Sequence, residues 1–239
     1  EASTVDGLFW KMGQRSAGSV TQLVVNGRGS VASNAAAVVL NVAVTGTERG
    51  GYLTVYPCDA PRPLASNLNY SAGQTIANTV TSKVSANGKV CIYTSAPTHL
   101  IADINGYFAA GASFAALAPG RLLETRVGEA STVDGLFWKM GQRSTGSVTQ
   151  LVVNGRGGVA SNAAAVVLNV AVTGTERGGY LTVYPCDAPR PLASNLNYSA
   201  GQTIANTVTS KVSANGKVCI YTSGPTHLIA DINGYFPAG

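Results

Sequence analysis

Charge is scarce in this chain. Asp, Glu, Lys and Arg make up 11 % of 239 residues, 16 basic against 11 acidic, for a formal net charge of +5. These charges are scattered singly, without the clustered basic stripe and interleaved aromatics of a nucleic-acid footprint, so no nucleic-acid partner is expected. Long apolar runs are also missing. The longest, Ala35 to Val44, is interrupted by Asn41 and falls short of the roughly 18 to 20 residues of a membrane span, so a soluble chain is expected. No stretch carries the 3.6-residue period of a long amphipathic helix. Histidine occurs only at His99 and His227, and neither has a serine or cysteine nucleophile motif beside it. The chain opens on Glu1 without a basic-then-apolar start, so any signal peptide is expected upstream or already removed.

What the chain has in abundance is repetition. Glu1 aligned with Glu129 gives an offset of 128, and the 111 overlapping positions differ at only four: Ala17/Thr145, Ser30/Gly158, Ala96/Gly224 and Ala109/Pro237. A period this long predicts two separate domains of one fold rather than a solenoid, each large enough for its own core. Only Ala112 to Gly128 occurs once. At 45 % hydrophobic the chain is no disordered segment, and its wealth of Gly, Ser, Thr, Asn, Val and Ala fits extracellular all-β modules. Each copy holds two cysteines, Cys58 with Cys91 and Cys186 with Cys219. An even count per domain predicts one intradomain disulfide in an oxidising compartment; the alternative is a pair of buried free thiols.

The strand signals recur through each copy. Thr21 to Gly27 is a β-branched run ended by Asn-Gly, which favours a hairpin turn. From Ala37 to Thr45, Val38, Leu40, Val42 and Val44 alternate with a mixed row, the mark of a strand with one aliphatic face. Tyr52 to Cys58 is a further strand that Pro57 ends or confines to an edge. A strand and a hairpin turning at Asn87-Gly88 follow, and Thr98 to Phe108 closes the copy. Both cysteines fall on the more polar strand faces, beside tyrosines. In the joint, a turn at Ala118-Pro119-Gly120 precedes a short strand at Arg121, Leu122, Leu123, Glu124, Thr125 and Arg126, with Leu122 and Leu123 on opposite faces and the charged residues free to pair with charged neighbours. About eight short strands in some 120 residues predict an all-β domain, a sandwich or a closed barrel.

The ordered set PGRLLETR, AAAVVLNVAVTG, GYLTVYPC, SNLNYSAGQTIANTV, GKVCIYTS and HLIADINGYF resembles a β-rich repeat of secreted and surface-exposed actinobacterial proteins, found alone in tandem or beside hydrolase domains. The likeness spans essentially the whole chain, although the family more often has aspartate where Glu124 stands. In that family the PGRLLETR-like segment opens each repeat. The resemblance therefore implies domains at 1–111 and 112–239, with 112–119 a linker, 120–128 the opening strand of copy 2, and no opening strand in copy 1. It carries over no catalytic residues.

The remaining constellations are thin. Asp103 lies four residues from His99 on one strand, about 13 Å away at the usual rise, too far for a dyad. Asp103-Ile104-Asn105-Gly106 lacks the later ligands of an EF-hand loop, and two cysteines 33 positions apart are no zinc spacing. No metal, cofactor or catalytic residue is expected, and the chain reads as a non-enzyme. Asparagines recur at strand positions, at Asn41, Asn67, Asn69, Asn78 and Asn105, where this residue is normally depleted. Their amides either brace loops or, with Trp10, Tyr52, Tyr56 and Tyr70, line a sugar-binding face at Asn67 and Asn69. Two function classes follow: a self-associating structural or adhesive repeat of a surface array or filament, or a carbohydrate-binding module accompanying a secreted hydrolase.

Overall fold

The computed structural model describes residues 4–9 and 11–238, and none of them is helical. The chain divides into two compact units, Glu1–Ala112 and Ser113–Gly239. Each is an antiparallel sandwich, and neither is a closed barrel.

Unit 1 holds, among its described residues, β1 (Val20–Val24), β2 (Ala35–Thr45), β3 (Gly51–Pro57), β4 (Leu68–Tyr70), β5 (Ile76–Lys83), β6 (Lys89–Thr94) and β7 (His99–Ala109). One sheet runs β1-β6-β3-β4 and the other β5-β2-β7. The aliphatic row of β2, Val38, Leu40, Val42 and Val44, is at most 2 % exposed. It packs in one core with Leu53, Val55, Val80, Val90 and Ile92 from the other strands. Period-2 alternation thus produces the layered core expected of it.

Unit 2 repeats this plan with β9 (Val148–Val152), β10 (Ala163–Thr173), β11 (Gly179–Pro185), β12 (Leu196–Tyr198), β13 (Ile204–Lys211), β14 (Lys217–Thr222) and β15 (His227–Pro237), and adds β8 (Ala115–Glu124). Its sheets run β12-β11-β14-β9 and β13-β10-β15-β8.

Two expected hairpins are instead crossings between sheets. The strands flanking Asn26-Gly27, β1 and β2, belong to different sheets, as do β5 and β6, which flank Asn87-Gly88. Both turns form, with Gly27 and Gly88 each at φ +75°. A Cβ on Gly88 would stand 3.0 Å from that of Asn26, so the two crossings pack against each other. Asn-Gly specifies the tight reversal, but the partner of the next strand is decided by which face must be buried.

The disulfides Cys58–Cys91 and Cys186–Cys219 are formed, each with Cα atoms 5.0 Å apart. Cys91 lies opposite Tyr56 in the β3–β6 ladder, so the bridge ties two neighbouring strands of one sheet where the ladder ends. Closing the 33-residue separation contributes about 3 to 4 kcal/mol in the chain-entropy estimate. Reduction should therefore lower the denaturant midpoint of both units by a matching amount, measured by urea unfolding with and without reductant; unchanged midpoints would show the bridges to be energetically idle.

Candidate assembly site

The single-copy joint is a full strand of unit 2. β8 begins at Ala115, inside the stretch expected to be linker, and runs through Ala118-Pro119-Gly120 without a turn. It pairs antiparallel with β15, from Ile229 opposite Glu124 to Tyr235 opposite Ala115. The ladder is irregular at two places, between Ile232 and Gly234 and between Ala230 and Asp231. The first falls at Leu117 to Pro119, where proline has no N–H to offer the ladder. The second skips Leu122, a bulge that lets consecutive residues turn the same way. Leu122 and Leu123 are accordingly both fully buried in one core cluster, not on opposite faces.

The charged residues of the joint form a buried ion cluster. Arg121 Nε donates to Asp231 Oδ1 at 2.6 Å, and its Nη1 pairs with Glu124. Arg126 donates to Glu124 through its backbone N at 3.0 Å, Nε at 2.9 Å and Nη2 at 2.8 Å. Glu124 is 0 % and Asp231 1 % exposed. Burial pushes the Glu124 carboxyl up, but the Arg126 hydrogen bonds and the charges of Arg126 and Arg121 outweigh it and hold it below the usual carboxylate value. At Asp231 burial wins over Arg121 and the group lies above its usual value. Each enclosed carboxylate thus meets at least one guanidinium, and Arg126, 29 % exposed, also reaches the exposed Glu129 at 3.3 Å, so the buried ions are paired as burial requires.

Polar contacts continue beyond the cluster. Thr125 N donates to the Leu228 carbonyl at 3.1 Å, Leu228 N donates to Thr125 Oγ1 at 2.9 Å, and Thr125 Oγ1 lies 3.1 Å from His227 Nδ1. Arg156, 6 % exposed, reaches the Leu122 carbonyl at 3.0 Å while holding Asp134. On its far side β8 collects the loop that follows it: Val133 N donates to Arg121 O, Glu124 N to Phe137 O and Lys139 N to Glu124 O, at 2.8 to 3.0 Å.

Among the described residues, the same last strand of unit 1 has a strand partner on one side only, since β7 pairs with β2 and ends its sheet. The contrast is in exposure. Ile101 is 46 % exposed where Ile229 is 8 %; Leu100 and Ile104 are half-buried where Leu228 and Ile232 are at most 1 % exposed. Asp103 is exposed and lies 3.3 Å from Asn41 Nδ2, where Asp231 is enclosed. Beside β7 runs a groove of about 870 Å³ lined by Val5, Phe9, Leu23, Arg28, Leu40 and Leu100 among others. Glycine records the same asymmetry: a Cβ on Gly234 would meet Phe114 Cζ at 2.3 Å and the Ala115 carbonyl at 2.7 Å, whereas one on Gly106 meets nothing within 4 Å.

Three of the expected sugar-binding residues are withdrawn from the surface. Tyr56, Asn67 and Tyr70 are buried at 7 %, 1 % and 5 % exposure. Tyr70 Oη contacts Thr94 Oγ1 at 2.9 Å inside the core. Asn67 Oδ1 accepts from Val55 N at 2.7 Å and Asn78 Nδ2 donates to the Asn67 carbonyl at 2.7 Å, so these amides brace the β3–β4 connection. Asn69 Oδ1 accepts from Ser66. Tyr52, half-buried, reaches an outer face beside Tyr93 at 5.8 Å, and half-buried Asn69 stands opposite it in the β3–β4 ladder. Trp10 lies outside the described residues. No group of three or more His, Cys, Asp or Glu poised for a metal occurs among the described residues. Asp231, Arg156 and Arg28 were not singled out by sequence, and Asp103 was weighed only for a dyad and a calcium loop; the opposite charges of Arg121 and Asp231 on two strand segments were the available signal. No family model, no curated protein and no solved structure matches the chain.

Two predictions follow from this geometry. The chain should melt in two steps, unit 1 first. Gly234→Val should lower only the upper transition and Gly106→Val should leave the lower one undiminished; calorimetry in which both variants behave alike would refute it. Glu124→Gln should cost about 3 kcal/mol at pH 7, the scale of a broken buried pair. Because the folded pKa of Glu124 is depressed, its contribution is present above the ordinary carboxylate value of 4.5 and lost as pH falls through the folded value. The gap between wild type and variant should narrow below pH 4.5 in acid unfolding, and a gap constant with pH would remove the charge from the account.

Proposed function

We propose that this chain is a non-enzymatic, extracellular structural or adhesive repeat, a section of a longer surface array in which each joint strand closes the sandwich that follows it. The observation that carries this reading is that β8 is bonded into the sheet of unit 2 along its length. A joint of this kind makes the connection between repeats part of a core, which suits a chain built to span distance under load. The resemblance to secreted actinobacterial repeats supports the same reading. Two disulfides are compatible with an extracellular location, and no helix among the described residues is long and apolar enough to cross a membrane.

A carbohydrate-binding role is the second reading, favoured by one feature. Tyr52 and Tyr93 lie 5.8 Å apart, with the Arg62 guanidinium 3.7 Å over the Tyr93 ring. The trio recurs as Tyr180, Tyr221 and Arg190. Half-buried rings with an arginine can stack on and hydrogen-bond to a sugar.

Chains carrying two, four and six repeats, each with its joint, should lengthen by a constant increment per repeat in small-angle scattering and bind no glycan on an array. Collapse to a compact particle would overturn the structural reading. Glycan binding abolished by Tyr52→Ala with Tyr180→Ala would establish the second in its place.

A further inference from the structure

We infer that the open edge of unit 1 is a binding site for one extended strand of joint sequence, supplied by the repeat that stands before it in an array. The inference rests on the array reading and names the partner of its unfilled site. The partner is specified because unit 2 displays the same site occupied. Subtracting the 128-residue period, Ile101 would face the glutamate of the incoming strand, Ala102 its second leucine, Asp103 its first arginine, Ile104 and Gly106 its glycine and alanine positions.

Each requirement of the occupant is met by something already in place. Asp103 stands where Asp231 receives Arg121, but is exposed. Arg28 holds Asp6 and the Val24 carbonyl, as Arg156 holds Asp134 and the Val152 carbonyl; in unit 2 the same guanidinium also reaches the backbone of the joint strand. His99 occupies the place from which His227 meets Thr125. Gly106 leaves the space over which Phe114 and Ala115 cross Gly234. Half-buried Leu23, Leu100 and Ile104 line the groove that Leu122 and Leu123 fill in the other unit. Edge pairing supplies the main-chain bonds and these pockets supply the selectivity, as in other strand-addition complexes.

The supplier is a joint surplus to this chain. One joint serves two units here, so a strand lent by β8 of a second copy would open that copy's unit 2 as it filled a unit 1. Exchange moves the vacancy without removing it.

The test adds a synthetic peptide, Ser113 to Gly128 in sequence, to the intact chain. The expected result is saturable binding of one peptide per chain by calorimetry, with amide exchange slowed along residues 99–109 and unchanged along 227–237. Asp103→Arg should weaken binding at least tenfold, and a peptide carrying Arg121→Asp should recover most of the loss. Gly106→Val should abolish binding while the chain keeps its melting profile. Absence of saturable binding, protection appearing at 227–237, or undiminished binding to Gly106→Val would each overturn the proposal; deprotection of 227–237 on concentrating the chain without peptide would replace it with exchange between copies. Constant lengthening of multi-repeat chains together with failure of the peptide would leave the array standing and show unit 1 closed by other means.

Discussion

The outer edge of the last strand is the constraint on which the rest of both sandwiches depends. A strand at the end of a sheet presents N–H and C=O groups with no ladder partner, beside side chains that alternate toward a core lacking a wall. β15 meets that demand with β8, and β7 carries the same residues from His99 to Phe108 without such a neighbour. Burial therefore differs at positions where sequence does not. Leu100 and Leu228 are one residue type in one local sequence, and Leu228, in one core cluster with Leu122 and Leu123, is 1 % exposed where Leu100 is half-buried. Fully burying such a side chain is worth about 1.5 to 3 kcal/mol, which makes the joint a large contributor to a domain of ordinary marginal stability.

Aliphatic burial alone would not place the joint strand in one register. A slip of one residue would turn every side chain to the other face, which burial opposes, but a slip of two keeps the faces and is opposed only by packing. The Arg121–Asp231 pair, which crosses from β8 to β15, removes that freedom. A misplaced strand would leave Asp231 charged and enclosed without its guanidinium, a state far costlier than a misplaced leucine. The bulge at Leu122 and the break around Pro119 act in the same direction, since each must sit where the β15 ladder accommodates it. Stability comes from the leucines and specificity from the ions.

This division explains what could be read from the residues alone. The aliphatic row of β2, the disulfide pairs and the all-β class follow from local signals: period-2 alternation, even cysteines and the lack of helical periodicity. Strand pairing does not, because Asn26-Gly27 and Asn87-Gly88 specify a reversal and say nothing about whether the chain returns in its own sheet or crosses to the other. The extent of β8 was obscured by Ala118-Pro119-Gly120, three residues that read as a turn and sit instead in a ladder irregularity. Leu122 and Leu123 were placed on opposite faces by simple alternation, which a bulge breaks. Tyrosines and asparagines suggested a sugar platform by composition, but Tyr70 and Asn67 are spent inside on a hydroxyl and a backbone amide. Residue type identifies what a side chain can bond, and only the fold determines which side it faces.

The position of the joint has a consequence for any array built from it. β8 runs directly into the loop it organises, from Thr125 through Gly128 to the segment carrying Val133, Phe137 and Lys139. Strand and acceptor groove thus lie in one continuous piece of chain, and closure is intramolecular, with an effective concentration on the order of millimolar for a short connection. Every repeat preceded by a joint closes itself faster than a neighbouring chain can reach it. Within an array an edge then stays unfilled only at a unit that no joint precedes, and not at every repeat. Lateral aggregation through open edges then does not grow with length, and association is confined to a unit left without a joint, where a heterologous contact extends a fibre without branching it.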